Sequence, residues 1–101
     1  MNYFTDYDYP IDTSNVEEMD TVITSYNDLE ELFGEPTGLN DFAGYPLAWI
    51  IQWEDDESVT VVCSTDTVNR NYNDHNWIIY GNGINSVKNL LTVLHGTDIN
   101  D

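Results

Sequence analysis

Hydrophobic and polar positions follow two different periods along this chain. From residue 47 to 54, Trp49, Ile51 and Trp53 alternate with Ala48, Ile50 and Gln52, which predicts a strand with a heavily aromatic side and a second side that is partly covered. Residues 58 to 64 repeat the period, with Val59, Val61 and Cys63 set against Thr60, Val62 and Ser64. Trp77 to Gly81 supplies a third strand ended by a turn. Toward the C-terminus the period lengthens. Val87, Leu90, Leu91 and Leu94 fall at i, i+3, i+4 and i+7, drawing an apolar stripe along a helix of residues 86–95 that Asn85 or Ser86 can cap and Gly96 can end.

An earlier helix is marked by its two ends. Ser25 precedes Asp28 and the apolar residues Leu29, Leu32 and Phe33, and Gly34 with Pro36 form the stop, so residues 26–33 are predicted helical. Tyr26 joins the apolar side, while Asn27, Asp28, Glu30 and Glu31 face water. Asp28 suits the positive end of the helix dipole, and His95 suits the negative end of the later helix, where it caps rather than catalyses.

Residues 1–20 show no sustained period. Asp6, Asp8, Asp12, Glu17, Glu18 and Asp20 interleave there with Tyr3, Phe4, Tyr7 and Tyr9, and Pro10 discourages a regular element across the middle. An acidic, aromatic arm over residues 1–24, packed but irregular, is the resulting expectation. Between the first two predicted strands, Glu54-Asp55-Asp56-Glu57 makes an exposed hairpin tip without the glycine that the tightest turns favour. The whole chain, 1–101, is then one α+β domain. Its elements are a small antiparallel sheet of about three to four strands, two short helices packed on it, and the acidic N-terminal arm.

Charge narrows what such a domain can do. The 101 residues hold 19 Asp or Glu against 2 Lys or Arg, a formal net charge of −17, yet 41% are apolar and 13% aromatic. That apolar content separates the chain from disordered acidic tails. A field of this sign repels nucleic acid and anionic membrane surfaces, so the partner to expect is a cation or a basic protein. Cys63 stands alone, which excludes an intrachain disulfide and a thiolate metal cluster, and no segment resembles a signal peptide or a membrane span. A cytoplasmic protein is expected.

Chemistry-bearing motifs are absent. There is no HExxH, CxxC, GxSxG or phosphate-cradling glycine pattern, so no enzyme activity and no cofactor is expected. Asp6, Asp8, Asp12, Ser14 and Glu17 match ligand positions of a calcium loop, but Pro10 and Ile11 replace an oxygen ligand and the obligatory glycine, so no metal site is expected.

The placement of charge carries more information than its sum. Fifteen of the 19 acidic residues precede Ser58. If the arm, the first helix and the hairpin tip share a face, their carboxylates would form a lattice like that of duplex DNA, whose phosphates recur about every 3.4 Å along a strand. Asp6, Asp8, Asp12, Glu17, Glu18 and Asp20 form the arm's contribution, Glu30, Glu31, Glu54, Asp55, Asp56 and Glu57 extend it, and Tyr3, Tyr7 and Tyr9 offer rigid contacts or anchor the arm. Acidity that only secures solubility, or that suits a halophilic host, is the competing explanation. A net charge of magnitude about 2 to 8 would already meet the first need.

In size, acidity and aromatic-rich α+β pattern, the chain resembles the small DNA-mimic proteins of phages and mobile elements. Those proteins block restriction enzymes, CRISPR effectors, nucleoid proteins or DNA-repair enzymes. More locally, DLEELFGEP at 28–36, AWIIQWEDD at 48–56 and WIIYGNG at 77–83 are similar to segments of small phage proteins of unassigned function. The resemblance implies a stoichiometric anti-restriction or anti-CRISPR inhibitor in the host cytoplasm. It would occupy the cationic site of a DNA-binding or defence protein, as a monomer or as a homodimer that lengthens the charge lattice. An acidic adaptor or immunity-type protein that binds a basic partner without imitating DNA is the alternative.

Overall fold

In the computed structural model, which describes residues 2–5, 11–36, 47–64 and 74–95, the central apolar runs pair as their alternation requires. Strand β1 is Tyr3–Thr5, β2 is Glu17–Ser25, β3 is Leu47–Trp53, β4 is Val59–Ser64 and β5 is Asp74–Gly81. Helix α1 is Tyr26–Phe33 and α2 is Ile84–His95. β3, β4 and β5 form an antiparallel meander in which Trp49 lies opposite Val62, and Val62 opposite Ile79.

The sheet has five strands in the order β1-β3-β4-β5-β2, rather than three to four, and both extra strands come from the segment expected to be an irregular arm. β1 pairs with β3, Tyr3 opposite Trp53, and β2 pairs with β5 from Glu17 opposite Gly81 to Ser25 opposite Asp74. Side-chain period fails as a signal here because both strands are edges, held through the backbone of one neighbour and open to water on the other side. A register shift between Glu18 and Asp20 also breaks the alternation of β2. β5 likewise starts at Asp74, ahead of the apolar run, because Asp74, His75 and Asn76 pair with Ser25, Thr24 and Ile23.

The two sheet faces differ in kind. One carries Trp49, Ile51, Trp53, Val62, Trp77 and Ile79 beneath α1 (Tyr26, Leu29, Phe33) and α2 (Leu90). Its rings meet edge to face: Trp49 is 5.3 Å from Tyr26 and 5.5 Å from Trp77, and Tyr3 is 5.1 Å from Trp53 and 5.2 Å from Phe33. A buried indole needs an acceptor for its N–H, and each of the three finds one at 2.8 Å: Trp49 donates to the Gly34 carbonyl, Trp53 to Thr60 Oγ1 and Trp77 to the Thr24 carbonyl.

The other face is built from smaller side chains. Ala48, Ile50, Val59, Val61 and Cys63 pack with Ile78 and Tyr80, and Ile11 and Val16 lie on them. β1 and β2 run in the same direction at opposite edges, so the chain between them has to travel from one edge to the other. Its described part, residues 11–16, lies on this second face.

Both helices form where the sequence places them, with one difference. α1 spans the predicted residues, and Ser25 Oγ accepts from the Asp28 N–H as its cap. α2 begins two residues early, at Ile84, which puts both Asn85 and Ser86 inside the helix rather than at its cap. There the Ser86 hydroxyl accepts from the Asn82 N–H and donates to Asn82 Oδ1, each at 3.1 Å. Gly81 is required at this crossing, because a Cβ on it would overlap the Ser86 side chain.

Candidate partner-binding surface

Register decides which carboxylates meet. Glu17, at the start of β2, lies opposite Gly81, which lies opposite Thr60, three residues beyond Glu57 of the β3–β4 hairpin tip. Glu17, Glu18 and Asp20 therefore sit at the same end of the sheet as Glu54, Asp55, Asp56 and Glu57, and all seven are exposed. With neighbouring strands about 4.8 Å apart, the β2 backbone runs roughly 10 to 14 Å to the side of the hairpin strands. Lys88 is the one Lys or Arg among the described residues, so the surface has almost no internal countercharge.

The tip is a tight, fixed structure. The Trp53 N–H donates to the Ser58 carbonyl at 2.9 Å, and the Glu57 N–H donates to the Trp53 carbonyl at 2.8 Å. Closing the loop in this way puts Glu57 at φ 62°, in the left-handed region where glycine is the natural choice and a residue with a Cβ costs about 1 to 2 kcal/mol. The Glu57 carboxylate is thus carried at the expense of local stability.

Asp56, though exposed, is tied down. Its Oδ1 accepts from the Ser58 N–H at 3.0 Å and the Ser58 hydroxyl at 2.6 Å, and its Oδ2 accepts from Asn89 Nδ2 of α2 at 3.3 Å. Asp56 positions the tip on α2, leaving Glu54, Asp55 and Glu57 to point outward. The Ser58 hydroxyl, followed by the Ser58 N–H, holds the Asp56 carboxyl below the usual aspartate range. A lowered folded-state pKa means that the contact stabilises fully above the unfolded value of about 3.9 and is lost as pH falls through the lower folded value. Titration by NMR should therefore show the Ser58 N–H and the Asn89 side-chain amide shifting together only below about pH 4. A midpoint at or above the ordinary aspartate value would mean that the carboxylate is not bonded as described.

The remaining predicted residues fall elsewhere or play other parts. Asp12 is exposed and its Oδ1 accepts from the Ser14 N–H at 2.9 Å, which lowers its pKa and shapes the turn leading into β2. Glu30 and Glu31 ride on α1, which leaves β2 at Ser25, the end far from Glu17, and returns toward β1 and the end of β3, where Tyr3 bonds the Leu32 carbonyl and Phe33 packs on Tyr3 and Trp53. Tyr3 is half-buried; its hydroxyl donates to the Leu32 carbonyl at 2.7 Å, and burial raises its pKa, so it anchors β1 to α1. Asp6, Tyr7, Asp8 and Tyr9 lie outside the described residues.

No protein-family model, curated protein or solved structure matches the chain. Its chemistry is read from the geometry alone.

Cys63 packs within the second face of the sheet. The Cys63 thiol is pushed up to about 12, first by burial and then by the charge of Glu18, and it faces the Ile78 carbonyl at 3.6 Å. A thiol so rarely ionised is a packing group. Among the described residues, no group of three or more His, Cys, Asp and Glu could hold a metal ion, and no helix is long and apolar enough to cross a membrane.

Sequence reasoning missed the residues that fix the acidic end. Asn89 Nδ2 reaches Ser58 Oγ as well as Asp56, and Thr60 Oγ1 donates to the Ser86 carbonyl at 2.7 Å while accepting from Trp53. One signal was available. Ser86 and Asn89 are polar residues three apart beside the apolar stripe of α2, where a helix face turned to the sheet would otherwise be apolar.

Proposed function

We propose that this chain is a non-enzymatic DNA mimic, which occupies the cationic nucleic-acid site of a DNA-binding or defence protein and inhibits it stoichiometrically. The observation that carries the reading is the convergence of β2 and the β3–β4 hairpin on one end of the sheet. There, two exposed carboxylate groups lie on strands separated by about the 12 Å width of a DNA major groove. Solubility alone does not favour such placement, nor does it favour a glutamate at the left-handed position of Glu57. The partner's Arg and Lys side chains would meet fixed carboxylates as they meet phosphates, through short charge-assisted contacts.

Competition tests the reading. The immobilised protein is used to capture a partner at low salt, the partner is eluted with duplex DNA, and the identified protein is then titrated with both ligands together. Mutual exclusion is expected, with affinity falling by roughly a thousandfold between 50 and 200 mM salt if six or more phosphate positions are imitated. A ternary complex of partner, DNA and this chain would overturn mimicry and favour the adaptor or immunity-type reading.

A further inference from the structure

Beside the hairpin tip, the surface is concave. A cleft of about 300 Å³ opens between β1 and the hairpin, lined by Phe4, Gln52, Trp53, Glu54 and Glu57. That volume sits at the bottom of the range of roughly 300 to 1,000 Å³ for small-molecule sites, which suits one side chain better than a cofactor. The walls are firmly held: the Glu54 N–H donates to the Asn2 carbonyl at 2.9 Å, and Phe4 lies opposite Gln52 in the β1–β3 ladder.

The polar lining consists of acceptors. Gln52 Nε2 is already engaged with the Glu57 carbonyl at 3.3 Å, which leaves Gln52 Oε1 as that amide's open group. Neither the Glu54 nor the Glu57 carboxylate makes a hydrogen bond or ion pair among the described residues. A ligand matching two carboxylates, an amide oxygen and an aromatic ring must be cationic, rich in donors and able to lie against a ring. A guanidinium has five N–H donors in a plane and stacks on aromatic faces, whereas an ammonium is a compact, strongly hydrated point charge.

We propose that this cleft receives one arginine side chain of the basic partner, with its guanidinium between Glu54 and Glu57 and its stem along Phe4. The proposal rests on the partner being basic, as the proposed function requires, but it assigns a specific anchor that diffuse charge attraction does not. Glu57 lines the cleft together with Glu54.

The test needs no partner, so its failure is separable from failure of the mimic reading, which the DNA competition decides. Capped glycyl-arginyl-glycine, its lysine analogue and its citrulline analogue are titrated into the ¹⁵N-labelled protein. The arginine peptide should produce saturable shifts at the Gln52 side-chain amide and the backbone amides of residues 54–57, with a Kd in the range of about 1 mM. The lysine peptide should bind at least about threefold more weakly, and citrulline, which lacks the charge, should leave these signals in place. Glu54→Gln with Glu57→Gln should abolish the arginine shifts, and Phe4→Leu should remove the preference for arginine over lysine. If Phe4→Leu does not fold, the glutamine pair, which alters only exposed groups, still decides. Equal and non-saturating shifts for arginine and lysine around residues 17–20 and 54–57 would overturn the proposal, as would no shift at Gln52.

Discussion

Trp49→Ala is expected to lower the unfolding free energy by about 4 kcal/mol and Tm by roughly 20 °C. Trp49 is fully buried, touches the rings of Tyr26 and Trp77, and fastens the end of α1 through its bond to the Gly34 carbonyl. Truncation removes transfer free energy and leaves a cavity between sheet and helix, and each edge-to-face ring pair adds roughly 0.5 to 1.5 kcal/mol beyond area. Trp49→Phe keeps a ring but loses the indole N–H, so it should cost less, about 1 to 2 kcal/mol. Urea unfolding at constant m checks both variants. An alanine variant with an unchanged midpoint would contradict the placement of Trp49 at the centre of the core.

The second large effect concerns binding and has the opposite sign for stability. Neutralising one row, Glu17→Gln with Glu18→Gln and Asp20→Asn, should weaken partner binding about 100-fold, as should Glu54→Gln with Asp55→Asn and Glu57→Gln. Each loss follows from three contacts at roughly 1 kcal/mol. Neither triple variant should lower Tm, because the replaced carboxylates are exposed and their mutual repulsion opposes the compact state. Asp74→Asn, paired with Ser25 at the opposite end of the sheet, serves as the control and should leave affinity within about threefold. Isothermal titration against the captured partner, paired with thermal unfolding, reads both quantities. An equal loss per charge from Asp74→Asn would mean that total charge, and not its arrangement, drives binding.

Much of the core was legible from residue order. The alternation of Trp49, Ile51 and Trp53 settles the orientation of β3, because the side-chain period of a strand leaves only two choices and the aromatic row has to be the buried one. α1 was readable from Ser25, Gly34 and Pro36, since caps and stops act within a few residues of the chain. β1 and β2 were not readable in this way. Their evidence lies in the unpaired edges of β3 and β5, which are remote in sequence, and Met19 at the register shift removes what alternation β2 had.

The candidate surface divides along the same line. Its acidity, its lack of countercharge and the exposure of the hairpin tip follow from composition and turn chemistry, which are local. The meeting of Glu17, Glu18 and Asp20 with the tip and the tethering of Asp56 depend on register across three strands and on Asn89 reaching down from α2. The sequence by itself therefore determined an acidic α+β domain with an aromatic core. The tertiary structure alone decided which carboxylates share an end and which residues form the cleft beside them, because strand pairing is set by backbone partners far apart in the chain, and charges repelling in solution carry no record of where the fold will hold them.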